Sequence, residues 1–289
     1  IIAGFQAQYD TDVDPRTLAS GSEMWRNWCK FREEIINSFV KEVYDLVREI
    51  NPEIWISCAC GPDLANTPTT IYQNCRDWVA NGWMDEVFSM SYAAGLNYPI
   101  ENGQLFMRAI GDDAFYSVGL SAFGTTERDV LLAQTDGCYR AGCNGVNFFS
   151  WGSLFQHEEG YEAALTASVY RDKAVQTYAL NRMLKAGADA LSGKLERVYG
   201  VFAPENAALY EALKPLLAAV SERADALSED ATFAERLAYC EAELESLDSV
   251  LNVVEEKGEG TAAAESIRTE LERLAKYLRQ SRSRLSDRV

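Results

Sequence analysis

Histidine is nearly absent from this 289-residue chain, which contains one, His157. Zinc centres and Ser-His-Asp or Cys-His catalytic groups depend on imidazole. The composition therefore excludes a metal site built from several histidines and gives little support to a nucleophilic triad. We expect no metal or other cofactor, and any catalysis would have to use carboxylate, tyrosine or hydroxyl groups.

Basic residues are also scarce. The chain has 27 Lys and Arg against 44 Asp and Glu, which gives a formal net charge of −17. Nucleic acids and anionic membrane surfaces attract basic proteins, so neither is expected as a partner. No apolar run reaches the roughly 18 residues that a transmembrane helix needs, so no membrane span is predicted.

Cysteine and glycine occur without the spacing of a known site. The seven cysteines form no CxxC motif or zinc ribbon, which favours small buried side chains, with a Cys138–Cys143 disulfide as the alternative. No Gly-x-Gly-x-x-Gly or P-loop follows a strand-like run. A nucleotide-binding fold is therefore unsupported, and so is an enzyme acting on a phosphorylated metabolite.

Helical and strand-like segments alternate through the first two thirds of the chain. Helical periodicity occurs in residues 22–50, 70–81, 101–110, 126–141 and 161–185, and strand-like runs occupy 54–59, 86–92, 114–120 and 145–151. This alternation predicts an α/β fold with a parallel sheet. Four strands are few for a doubly wound sheet, and they fit strands five to eight of a (β/α)₈ TIM barrel better.

The composition changes after about residue 188. Glycine and tryptophan nearly vanish, and Leu recurs every three or four residues in 205–228, 231–256 and 261–284. Such stripes are typical of a helical bundle or a coiled-coil-like hairpin. We therefore predict two domains, a partial barrel at 1–188 and an all-α domain at 189–289.

Several short motifs resemble one known family. They are Phe5-Gln-Ala-Gln-Tyr9, Asp14-Pro15-Arg16, the helix from Trp25 to Asn51-Pro52, Trp78-x-x-x-Gly82-Trp83-Met84-Asp85, Met90-Ser91-Tyr92, Gly119-Leu120-Ser121 and Gly145-Val146-x-Phe148-Phe149-Ser150. Their order and spacing over about residues 1–185 resemble the family 10 glycosyl-hydrolase-like proteins, although Ser89 occupies a position where that family has proline.

The resemblance implies a TIM barrel that hydrolyses glycosidic bonds in a polysaccharide or oligosaccharide by carboxylate chemistry. Aligned this way, the chain is a fragment that supplies the substrate-binding half of the cleft. The main catalytic acid would lie upstream of Ile1, so the fragment alone would be inactive. Most members are bacterial and exported, which implies a periplasmic or secreted location.

Barrel enzymes place their chemistry at the carboxyl ends of the strands. By this rule Asp63 is the candidate catalytic residue, with a loop-stabilising carboxylate as the alternative interpretation. Candidate substrate-binding residues are Ser57, Ser91, Tyr92, Ser121, Ser150 and Trp151. Glu127, Glu158 and Glu159 lie further from strand ends, and His157 could contact substrate. Asp85 begins its strand at the opposite end, and we expect it to be structural.

Two further expectations concern partners. A half barrel exposes the edges of its outer strands, which favours self-association. Alternatively, the chain is a non-catalytic carbohydrate-binding or scaffolding protein with a degenerate barrel, in which the helices bind a partner.

Overall fold

The structure is a computed structural model, and it describes residues 1–123, 126–156, 160–170, 175–201, 207–258 and 262–289. These residues form two compact units. The first comprises Ile1–Gly111 with Tyr116–Val169, and the second comprises Asp112–Phe115 with Tyr170–Val289.

The first unit carries the sheet. Its helices are α1 (Ile2–Gln8), α2 (Glu23–Ile50), α3 (Thr67–Thr70), α4 (Cys75–Ala80), α5 (Asn97–Ile110), α6 (Arg128–Arg140), α7 (Trp151–Gln156) and α8 (Tyr161–Ala167), with a 3-10 turn at Pro15–Thr17. Its strands are β1 (Ser57–Cys60), β2 (Glu86–Ser89), β3 (Phe115–Ser121) and β4 (Gly145–Phe149). The predicted α/β class is confirmed.

The four strands form one parallel sheet in the order β1-β2-β3-β4. At the amino ends of β1 and β2, Ser57 aligns with Glu86, and at the carboxyl ends of β3 and β4, Ser121 aligns with Phe149. Each strand therefore pairs with its neighbour in the sequence, and all four carboxyl ends meet at one edge.

One face of the sheet packs on helices. Tyr116 of β3 stacks on Phe106 of α5 with ring centroids 4.8 Å apart, and both side chains are fully buried. Because side chains alternate along a strand, Ser117, Gly119 and Ser121 belong to the opposite face. On that second face the outer strands are open to solvent, since Ser57 and Ala59 of β1 and Asn147 of β4 are exposed.

Local sequence signals account for the long helix α2. The Ser22 hydroxyl accepts a hydrogen bond from the Trp25 N–H at 3.2 Å, which caps the first turn, and Asn51-Pro52 ends the helix.

Asp85 binds the carboxyl end of α2. Arg48 donates to the buried Asp85 carboxylate at 2.9 Å, and the same carboxylate accepts the Ile56 N–H at 2.7 Å. The expected structural role of Asp85 is confirmed.

The second unit is helical. It contains α9 (Leu180–Val201), α10 (Ala207–Ala226), α11 (Phe233–Gly258) and α12 (Ala262–Ser286). Its longer segment, Tyr170–Val289, starts before the composition change at residue 188, and its first helix α9 pairs with α10 through Lys185–Asp225 at 2.6 Å and Ser221–Asp189 at 2.7 Å.

Several predicted boundaries differ from the structure. The periodicity of 161–185 predicts one helix, but α8 ends at Ala167 and α9 begins at Leu180. Ser168 and Val169 are weak helix formers, and Ser168 leaves the helical conformation at φ −126° and ψ −94°.

All seven cysteines are free thiols, so the alternative Cys138–Cys143 disulfide is wrong.

Candidate functional site

Three aromatic side chains meet at the carboxyl edge of the sheet. Tyr92 follows β2, Phe123 follows β3, and Phe149 ends β4. The Tyr92 and Phe149 rings stack at 5.5 Å between centroids, and Phe123 packs edge-on against both at 6.1 and 5.6 Å. We call these three residues the aromatic triad.

The triad is accessible from solvent. Tyr92 is 37% exposed, Phe123 40% and Phe149 52%. The Tyr92 phenol is protonated at neutral pH and can donate a hydrogen bond, and partial burial raises its pKa further. The triad therefore combines flat apolar faces with a polar group.

Gly119 makes the triad possible. Tyr92 and Phe149 are carried by strands on either side of β3, so the Tyr92 ring has to cross β3 to stack on Phe149. A Cβ at Gly119 would lie 3.2 Å from Cε1 of Tyr92 and would collide with the Ser89 carbonyl oxygen. The absent side chain thus leaves the space that Tyr92 occupies.

Gln134 of α6 anchors the loop that follows Tyr92. Its buried amide nitrogen donates to the carbonyls of Ala93 at 3.0 Å and Gly95 at 2.8 Å. These bonds tie a surface loop to a helix, which holds the preceding Tyr92 in place.

A second aromatic pair begins directly after β4. Trp151, the first residue of α7, is 75% exposed, and its ring lies 4.4 Å from that of Phe155 one turn later. The predicted substrate-binding residue Trp151 thus presents a large apolar face to solvent. The Phe149–Ser150 peptide bond between the triad and this helix is cis.

Two predicted serines lie where the sequence places them. Ser121 is the last residue of β3, and its oxygen accepts the Phe123 N–H at 3.4 Å. Ser150 follows β4, and its hydroxyl lies 3.2 Å from that of Ser153. Both belong to the carboxyl edge, where Ser150 is partly buried and Ser121 is only 4% exposed.

Of the other two predicted serines, one is fully buried and the other lies at the opposite edge. Ser91 is fully buried, where its hydroxyl bonds Ser89 and the Asn102 side chain at 2.7 Å each. Ser57 begins β1 rather than following it, because pairing with β2 starts at Ser57 instead of Ile54. Ser57 is therefore at the amino edge, opposite the triad.

Asp63 is held by its own loop. Its carboxylate accepts the backbone N–H groups of Ala65 and Asn66 at 3.0 and 3.1 Å and the Asn66 amide at 2.7 Å. The bonds from Asn66 and Ala65 lower the pKa of Asp63, so it remains ionised and is a poor proton donor. This is the loop interaction that the sequence offers as the alternative to catalysis.

The remaining polar candidates add little to the site. Among the described residues there is no group of three or more His, Cys, Asp and Glu side chains able to hold a metal ion. His157, Glu158 and Glu159 lie outside the described residues. The described part of the carboxyl edge is thus an exposed surface dominated by aromatic rings.

Sequence reasoning identifies part of this surface. It selects Tyr92 and Trp151 as candidates but not Phe149 or Phe155. Phe149 lies two residues after the polar Asn147, so both side chains are on the same face of β4, and both are exposed. A polar residue two positions before Phe149 is the sequence signal that could have indicated that Phe149 is exposed. Phe155 follows Trp151 at i+4, the spacing at which helical side chains meet.

Comparisons with known proteins add no relative: no family model, no curated protein and no solved structure matches this chain. Within the described residues, no helix has both the length and the apolar character to cross a membrane.

Proposed function

We propose that this chain forms part of a glycoside-hydrolase-like (β/α)₈ barrel and supplies the carbohydrate-binding half of its cleft. The observation that carries the proposal is the aromatic triad at the carboxyl ends of three consecutive parallel strands. Barrel enzymes bind substrate at that edge. Flat aromatic rings pack well on the C–H-rich faces of pyranoses.

The strand order supports the barrel part of the proposal. Sequential pairing in the order β1-β2-β3-β4 is the winding of a barrel, whereas a doubly wound sheet reverses direction at a switch point. The exposed Ser57, Ala59 and Asn147 on the open face would then face the strands of the other half. These strands would also supply the main catalytic acid, as the resemblance to the family 10 glycosyl-hydrolase-like proteins implies.

A neutral sugar polymer also suits the charge of the chain. A net charge of −17 disfavours anionic partners such as nucleic acids. An extracytoplasmic location, periplasmic or secreted, belongs to the same proposal and rests on the family resemblance.

The second candidate is a non-catalytic carbohydrate-binding protein. The loop bonds that engage the Asp63 carboxylate favour it, because they give Asp63 a structural role. The coding sequence upstream of Ile1 separates the two candidates. Four further βα units with an acidic strand end would support the hydrolase, whereas an unrelated upstream domain would support the binding protein.

Calorimetric titration with cellohexaose and chitohexaose tests the binding that both candidates share. Tyr92→Ala and Trp151→Ala should each weaken binding about 3- to 10-fold, the range expected for loss of one aromatic contact. Tyr139→Ala is the matched control, because Tyr139 is 52% exposed but lies in the last turn of α6, before β4. Absence of binding, or an equal loss in the control, would overturn the proposal.

A further inference from the structure

Helix α2 carries an exposed apolar stripe. Five residues form it, namely Ile35, Phe39, Val43, Leu46 and Ile50, and they are 39%, 62%, 36%, 56% and 70% exposed. Their spacing of 4, 4, 3 and 4 residues confines them to an arc of about 80° on the helix. Globular helices normally turn such a stripe toward the core, so this α2 stripe is a surface without a cover in the described residues.

The same side of α2 is already covered by a helix at its amino-terminal end. Phe5 of α1 is fully buried against Trp28 and Phe31 of α2, with ring centroids 5.1 and 5.7 Å apart. Gly4 allows this approach, since a Cβ there would lie 3.3 Å from Phe31. Trp28 precedes Ile35 by two turns, so the α2 stripe continues a surface on which a helix already packs.

One border of the α2 stripe is acidic. Glu42 and Glu49 are both exposed, and neither forms a hydrogen bond or ion pair within the described residues. They are seven residues apart, which places them on one side of the helix with a separation of about 10.5 Å along its axis. The nearby Asp45 is already paired with Lys41 at 2.5 Å.

Resting on the second candidate function, in which no other barrel half covers this helix, we propose that the α2 stripe binds an amphipathic helix from a partner protein, with basic residues seven positions apart beside its apolar face. Charge complementarity selects this occupant. Lys or Arg at that spacing would meet Glu42 and Glu49 while the apolar faces pack. A second copy of the chain would instead bring another row of the same glutamates and another net charge of −17.

Two fluorescein-labelled model peptides provide the test. Both are 21-residue helices with Leu at the two core heptad positions, and one carries Lys at the flanking positions where the other carries Glu. Fluorescence anisotropy should show about 10-fold tighter binding of the Lys peptide, and Phe39→Ser/Leu46→Ser should remove about 10-fold or more of its affinity. Both substituted side chains are exposed, so the fold should survive, and circular dichroism checks this.

Charge variants test the polarity of the surface. Glu42→Gln/Glu49→Gln should weaken Lys-peptide binding about 3- to 5-fold, an effect that high salt removes. The control Glu241→Gln/Asp248→Asn removes the same charge from two exposed residues of α11, also seven apart, and should leave binding unchanged. Equal losses in both double variants would mean unspecific attraction and would overturn the proposal.

Sedimentation of the chain alone examines the competing occupant. A dimer that Phe39→Ser/Leu46→Ser converts to monomer would show that a second copy covers the α2 stripe, and the proposal would be wrong. A monomer that retains the Lys-peptide preference supports it.

Discussion

At Gly119 the absence of a side chain organises the carboxyl edge. Tyr92 crosses β3 at this position to stack on Phe149, and a single added methyl group would collide with backbone on β2. The sequence places a glycine in a strand, which signals a close approach but does not say what approaches.

Gly119→Ala should therefore destabilise the fold by about 2 kcal/mol, because the added Cβ overpacks a buried contact. Urea unfolding measures the change. Gly95→Ala is the matched control, since its Cβ would have no heavy atom within 4 Å. Similar stabilities for the two variants would show that the space over β3 can adjust.

Asp85 shows how burial changes the contribution of an ion pair to folding stability. Asp85 immediately precedes β2, and its carboxylate, which is 1% exposed, bonds Arg48 of α2 and the Ile56 N–H just before β1. Asp45, in contrast, is 54% exposed in its pair with Lys41. Asp85→Ala should cost about 3 kcal/mol or more, because it leaves Arg48 and the Ile56 N–H without that acceptor. Asp45→Ala should cost about 0.5 kcal/mol or less in the same unfolding measurement. Comparable losses would contradict the structural role of Asp85.

At the scale of elements, helix starts are well encoded. Helix α11 begins with a reciprocal cap, in which Glu235 accepts the Thr232 N–H at 2.8 Å and Thr232 Oγ1 accepts the Glu235 N–H at 3.3 Å. The bonds from Thr232 lower the pKa of Glu235.

Thr232→Ala should destabilise the fold by about 1 kcal/mol at pH 7 and raise the Glu235 pKa part of the way toward its ordinary value, because the hydroxyl bond is lost while the backbone N–H bond of residue 232 remains. A folded-state pKa below the unfolded one means that ionised Glu235 stabilises the helix above the unfolded pKa. This contribution is lost as pH falls through the folded-state pKa. Carboxyl NMR titration of the two proteins measures the shift, and an unchanged Glu235 pKa in Thr232→Ala would be evidence against the cap.

The order and type of the elements follow from the sequence better than their contacts do. Hydrophobic periodicity predicts four strands and the helices between them, because burial repeats every two or 3.6 residues. It does not show that β1 starts at Ser57 or that the Ser91 hydroxyl is buried against Asn102. Both depend on pairing and packing between segments that are distant in the sequence.

The whole molecule is expected to protect its thiols. Cys58 is partly buried and the other six cysteines are buried, and burial raises the pKa of Cys58, Cys138 and Cys240 to about 12. A hydrogen bond with Cys60 lowers the pKa of Cys75, but Cys75 is only 3% exposed, so the reagent cannot reach it in the folded protein. Thiolates react and buried thiols do not, so fewer than about one equivalent of a chromogenic disulfide reagent should react rapidly at pH 8.

The same reagent in 6 M guanidinium chloride should titrate all seven thiols. The number of thiols that react rapidly in buffer, divided by the number that react in guanidinium chloride, reports how completely the chain is folded. Rapid labelling of several cysteines without denaturant would indicate that the cores open readily.

Composition also predicts a change from α/β to helical structure along the chain, but the second unit begins earlier than that change. The first residues of α9 precede that change and belong to the second unit because α9 pairs with α10, a tertiary contact that leaves little trace in composition. The aromatic surface at the carboxyl edge is likewise only partly predictable from the sequence. Position after a strand identifies Tyr92 and Trp151, whereas the stacking of Tyr92 on Phe149 across β3 depends on the three-dimensional fold.

The sequential order of the strands has a consequence for synthesis on the ribosome. Each strand pairs with the one made just before it, so every βα unit can dock on a template that has already emerged. Loops closed in this way stay short, which favours rapid folding. The sheet can thus grow in one direction, and at each stage the next strand pairs with the free edge of the strand that was made last.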